Sequence, residues 1–191
     1  MPRFSKEASG TTLLEALAVV VLLGLAAAPL LGLLVSAHSL TAQAGHEVAA
    51  LNFAQELIEE VKSSPDNQIG KAQGSTANAI KLEARASSVN GFYDGYTIAL
   101  VGGTGAGQVR KVTAYSGATR TATVDRNWDV MPDGTTTYVL LKVQDPERYP
   151  FLISVREERD WPGLRTVTVT VYYQDRGRQR EVSLTTDKLR R

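Results

Sequence analysis

Cysteine is absent from this 191-residue chain, which removes disulfides, thiolate nucleophiles and thiolate metal sites together. It also excludes a lipid anchor carried on a cysteine after a signal. It says nothing of compartment, because exported proteins need no disulfides. Histidine occurs twice, at His38 and His46. With no carboxylate at ligand spacing, both read as polar surface positions, and no metal site is expected. Excess charge is lacking too: 21 Lys and Arg against 20 Asp and Glu leave a net charge of +1. That balance supports no global electrostatic attraction to nucleic acid, which is not expected as a partner. Without cysteine, a histidine–acid pairing by spacing, or paired carboxylates in a recognisable frame, no catalytic set assembles. The chain is not expected to be an enzyme, and it calls for no cofactor.

What is present is one long uncharged run. From Gly10 to Ala37 the chain reads GTTLLEALAVVVLLGLAAAPLLGLLVSA, without charge from Ala16 to Val35. As a helix, the uncharged part is about 30 Å long, the thickness of a bilayer's hydrocarbon core. Glu15 stands just inside its front, and Gly10 lies before it, after the short polar leader MPRFSKEASG. An ordinary secretory signal places its small-residue cleavage site after the apolar stretch, and that stretch is shorter than this one. Here the order is inverted. Arg3 and Lys6 precede the run, whereas the first ionised residue after it is Glu47. Basic residues hold their end in the cytoplasm, so the expected orientation is N-in, C-out. Pro29 removes a helix hydrogen bond and should kink or loosen the span.

Gly10, Thr11, Glu15 and the Ala/Leu/Val-rich body around Gly24 resemble the amino terminus of type IV prepilins and pseudopilins. In that family a prepilin peptidase cuts after a glycine, and a glutamate follows as the fifth residue of the mature chain. The resemblance implies cleavage between Gly10 and Thr11, methylation of the new Thr11 amine, and an assembly role for Glu15 opposite a neighbouring subunit's amine. Its implied partners are the prepilin peptidase, other pilins or pseudopilins, the inner-membrane assembly platform, and membrane lipid before assembly. The chain would be a single-pass membrane protein first and part of a cell-surface or periplasmic filament afterwards. Thr11 in place of the usual aromatic residue, and an early Pro29, point to a minor subunit.

Past the run, Leu40, Ala44, Val48, Leu51, Ala54, Ile58 and Val61 recur at three- and four-residue steps, which predicts an amphipathic continuation of the helix. Gly45 weakens it without ending it. Ser63-Ser64-Pro65-Asp66-Asn67 should stop it. The pattern then becomes alternating, with expected strands at 80–86, 96–101, 109–115, 121–124, 137–143, 151–157, 166–173 and 181–185. The run from Thr166 to Val171 alternates threonine and valine, as a half-buried antiparallel strand does. The expected fold class is α+β: a long N-terminal helix, transmembrane then amphipathic, packed on an antiparallel sheet with a β-rich insertion. The expected divisions are a leader 1–10, a filament-core helix 11–37, an amphipathic helix 38–64, a loop 65–79, an insertion 80–143 and a C-terminal sheet 144–191. Helix and C-terminal strands resemble small pseudopilins and minor pilins. Within the insertion, GYTIALVGGTGAGQVRKVTAY and GATRTATVDRNW resemble a β-rich module of some phage and surface proteins, which assigns no activity.

Other motifs invite function. The glycines from Gly102 to Gly107 suggest a phosphate loop, but Gln108 and Val109 stand where Lys and Ser/Thr are required, and a strand follows instead of a helix. Asp125, Asn127 and Asp129 imitate a calcium loop, yet Val130 takes the obligatory glycine position and Thr136 that of the bidentate glutamate. A looser calcium site stays open, since some pseudopilins bind calcium near the carboxy end. Arg176, Arg178, Arg180, Lys188, Arg190 and Arg191 make the C-terminal hairpin basic, which reads first as solvated edge charge that discourages aggregation. The alternative to the pilin reading is a secreted or membrane-anchored β-rich surface or binding protein. It would carry an ordinary signal anchor, or a signal cut after Ala37.

Overall fold

The structure, a computed structural model, describes residues 13–143, 145–157, 164–175 and 177–189, excluding the side chains of 28, 35 and 37–44. It is α+β, and the described residues form one long helix, α1 (Leu13–Ser63), followed by ten strands in antiparallel pairs. Two compact units divide the chain, Met1–Gly45 and His46–Arg191. Gly10 and Thr11 lie outside the described residues.

In the first unit, Leu13–Leu34 is long and apolar enough to cross a membrane. Its alanines and leucines are strong helix formers, and α1 continues as one element through Pro29. The large side chains of this segment face outward, from Leu13 at 89% exposed to Val19 at 49%.

In the second unit, the last turns of α1 bury Ala50, Phe53, Ala54, Leu57 and Val61. This face is turned relative to the expected stripe: Val48 is 52% exposed, and Leu51 and Ile58 are only partly buried. Phe53 sets the rotation. Its ring meets Phe151 edge-on at 5.9 Å and Tyr149 at 5.8 Å, and burying an aromatic ring outweighs burying one more aliphatic side chain. The helix stops at Ser63, two residues before Pro65, which disfavours helical backbone before it.

The strands are β1 (Ile69–Lys71), β2 (Gly74–Thr76), β3 (Ala79–Lys81), β4 (Thr97–Gly102), β5 (Val109–Ser116), β6 (Thr121–Val124), β7 (Thr137–Leu141), β8 (Phe151–Glu157), β9 (Leu164–Asp175) and β10 (Arg178–Leu189). They form a seven-stranded sheet, β1-β7-β4-β5-β6-β3-β2, and a three-stranded sheet, β10-β9-β8. The stretch 65–79, expected as a loop, contributes a 3-10 turn and the short β1 and β2. The strand expected over 80–86 ends at Lys81, because Leu82 N–H turns to the Arg120 carbonyl and Ala86 N–H closes a turn on Glu83.

The large sheet is covered on both faces at its centre, in β4 and β7. In β4, Ala99 and Val101 join a core containing Phe53, Leu57, Val61, Ile153, Val167, Val169 and Val171. The alternate residues Ile98 and Leu100 join a second core with Ile80, Val112, Tyr115 and Tyr138. A strand covered on both sides reads as a continuous apolar run, and Thr97–Val101 is buried at every position. The irregular segment between β3 and β4 closes the second core through tyrosine hydroxyls. Tyr115 donates to the Ser87 carbonyl, and Tyr93 donates to the Asn67 carbonyl while accepting from Ser87 N–H. Tyr138 accepts from Glu83 N–H.

Candidate functional site

Glu15 occupies the first turn of α1, where an anionic side chain is favoured by the unsatisfied N–H groups and the helix dipole. It is exposed, in company with Leu13, Leu14 and Leu17. Of the three residues expected to mark processing and assembly, Glu15 is therefore seated on the apolar helix, and Gly10 and Thr11 lie outside the described residues. Glu15 thus stands near the front of an apolar helical segment whose large side chains are exposed.

The glycine-rich connection between β4 and β5 is a structural turn. Gly103, Gly105 and Gly107 have φ of 73°, 78° and 92°, conformations costly for residues with a Cβ. A Cβ on Gly103 would collide with the Thr135 backbone. Thr104 Oγ1 donates to Asp133 at 2.9 Å, and Thr136 Oγ1 donates to the Thr104 carbonyl. Hydrogen bonds from Thr135, through both its hydroxyl and its N–H, and from Thr104 hold the Asp133 carboxyl below the usual carboxylate range. The loop's polar groups thus bond to the connection between β6 and β7.

The calcium-like residues serve a buried arginine. Arg110 is 5% exposed, stacks 5.5 Å from the Trp128 ring centroid and donates to the Asn127 carbonyl twice. It also reaches Asp129 at 2.9 Å and Gln108 Oε1. Asp125 accepts from Lys111 N–H at 2.9 Å. Among the described residues, no three His, Asp or Glu side chains gather at metal-binding distance.

The basic C-terminal hairpin acts within the fold. Arg180 pairs at 3.0 Å with Asp175, a buried carboxylate. Lys188 Nζ donates to the carbonyls of Val61, at 2.6 Å, and Ser64, capping the C-terminus of α1 where a cation complements the dipole. Arg176, Arg190 and Arg191 lie outside the described residues. Sequence reasoning missed Arg110 and the Lys188 cap, since both depend on contacts between distant segments. The one available signal for Lys188 was its place in phase with Val182 and Leu184 on the inward side of β10.

No known protein family, curated protein or solved structure matches this chain.

Proposed function

We propose that the chain is a minor pilin or pseudopilin, a structural subunit of a type IV filament system. The observation that carries this reading is the uncovered apolar helix with an acid in its first turn, behind a glycine that precedes the apolar run. Thirteen large apolar side chains between Leu13 and Leu34 are exposed. At about 1.5–3 kcal/mol for each such side chain, keeping them in water costs on the order of tens of kcal/mol. Lipid covers them before assembly, and neighbouring helices cover them in a filament. Transfer from one to the other never exposes them to water. In this reading a prepilin peptidase frees the Thr11 amine, which is then methylated, and Glu15 meets the amine of a neighbouring subunit. The last turns of α1, from Ala50 to Val61, pack on the C-terminal sheet in this reading, and 80–143 is an insertion in a pilin-like frame. The core shared by Phe53, Leu57, Ile153 and Val169 supports that arrangement.

Intact-mass measurement of protein extracted from membranes of a peptidase-positive host tests the proposal. The expected mass lacks residues 1–10 and carries one added methyl group, and Gly10→Leu leaves the precursor uncut. A mature chain that keeps its leader overturns the reading. A chain beginning at His38 points instead to an ordinary secretory signal.

A further inference from the structure

We infer that the cleft beside His46 binds an acidic saccharide, a reading independent of how the chain is anchored. The cleft holds about 340 Å³ and is lined by His46, Arg148, Tyr149, Tyr172, Gln174 and Gln179, among others. That volume lies near the small end of ligand sites, about 300–1,000 Å³, and suits a short saccharide better than a folded partner.

Three features converge on this class. Tyr149 and Tyr172 are half-buried, so each can present part of a ring to the cleft. Tyr149 is braced from within by Phe53, at 5.8 Å between ring centroids, and by the Arg148 guanidinium, 5.7 Å from its centroid. A ring held in this way stacks on a sugar with little conformational entropy left to lose. Gln174 and Gln179 are directly opposite on β9 and β10. Paired primary amides offer donors and acceptors side by side, matching neighbouring sugar hydroxyls. Finally, Arg148 supplies a formal positive charge and His46 a polar ring, and the described residues that line the cleft include no carboxylate. Arginine's planar fork suits the carboxylate of a uronic acid. A phosphate or lipid headgroup would use the cation but leave the rings and amides without a role.

The test uses the full chain in detergent micelles, titrated with trigalacturonate by calorimetry. Saturable binding is expected, with maltotriose at least about tenfold weaker. Arg148→Gln and Tyr172→Ala should each weaken binding about tenfold, the size of one good contact. Tyr172→Phe, which keeps the ring, should bind nearly as the parent does. If Tyr172→Ala proves unfolded, the double variant Gln174→Ala/Gln179→Ala, altered at exposed positions, takes its place and should show the same loss. Absence of saturable binding overturns the proposal, as do variants that bind like the parent. Equal competition by glycerol phosphate also overturns it and identifies a headgroup site instead.

Discussion

At Glu15 a single carboxylate stands in the otherwise uncharged segment Leu13–Leu34 of α1. If it meets a neighbour's amine, Glu15→Ala should leave peptidase cleavage intact, because the acid lies beyond the scissile bond. Membrane insertion should become slightly easier, since a carboxylate in a span is costly. Recruitment should fall, measured as co-purification with other pilin-like subunits from crosslinked membranes. Glu15→Gln separates charge from size and should fail in the same way; normal recruitment of both variants would show the acid to be dispensable. Lys188 is the contrasting case, a charge working inside its own fold. Lys188→Met removes the ammonium donor from the Val61 and Ser64 carbonyls while keeping the aliphatic stem. A charged hydrogen bond is worth about 1.5–3 kcal/mol, so the variant should lose roughly that stability in denaturant unfolding. An unchanged midpoint would mean that water replaces the cap at no cost.

Among the elements, β9 shows most directly how a two-residue period becomes a core. Val167, Val169 and Val171 are buried, while Thr168 and Thr170 meet Thr185 and Ser183 hydroxyl to hydroxyl at 3.1 and 2.9 Å. Val169→Asp would bury an uncompensated charge among Phe53, Leu57 and Ile153, and should cost several kcal/mol (about 3–5) by thermal or denaturant melting. A melt like the parent's would place that strand's buried face elsewhere. The β9 pattern was legible because alternation maps directly onto the two faces of a strand. The face of α1 was less so. Several stripes at three- and four-residue steps compete on one helix, and Phe151 and Tyr149, nearly a hundred residues away, select the one containing Phe53. The strands β1 and β2 were not legible at all. Three residues each is too short to show a period, and β1 exists because β7 offers its edge, pairing Ile69 with Val139.

Across the whole molecule, the globular unit is built on two cores separated by the seven-stranded sheet, and the second is rich in tyrosine. Burial disfavours the phenolate and so raises the pKa of Tyr93 and Tyr115, and that of Tyr138 most strongly. Unfolded tyrosines lose their protons near pH 10, so above about that value the unfolded chain binds fewer protons than the folded one. The stability these groups contribute is therefore complete below pH ~10 and falls as pH rises towards their folded values. Melting temperatures should decline over roughly pH 9.5 to 11. Tyr138→Phe should flatten the decline, while costing about 1–3 kcal/mol at neutral pH for the Glu83 N–H left without its partner. A parent whose melting temperature holds through that range would contradict the assignment.

The apolar helix at the front, the Pro65 stop, the change from helical to alternating period and the α+β class were determined by the sequence alone. Each rests on local chemistry: hydropathy, proline's missing donor, and side-chain periodicity. Tertiary structure decided which helix face is buried, that β4 is covered on both sides, and that Lys188 closes the helix. It also decided that Asp125 and Asp129 serve Lys111 and Arg110. Those outcomes depend on which distant groups meet. A carboxylate's spacing along the chain shows which ligands it could hold, but the donor it meets in space determines what it does.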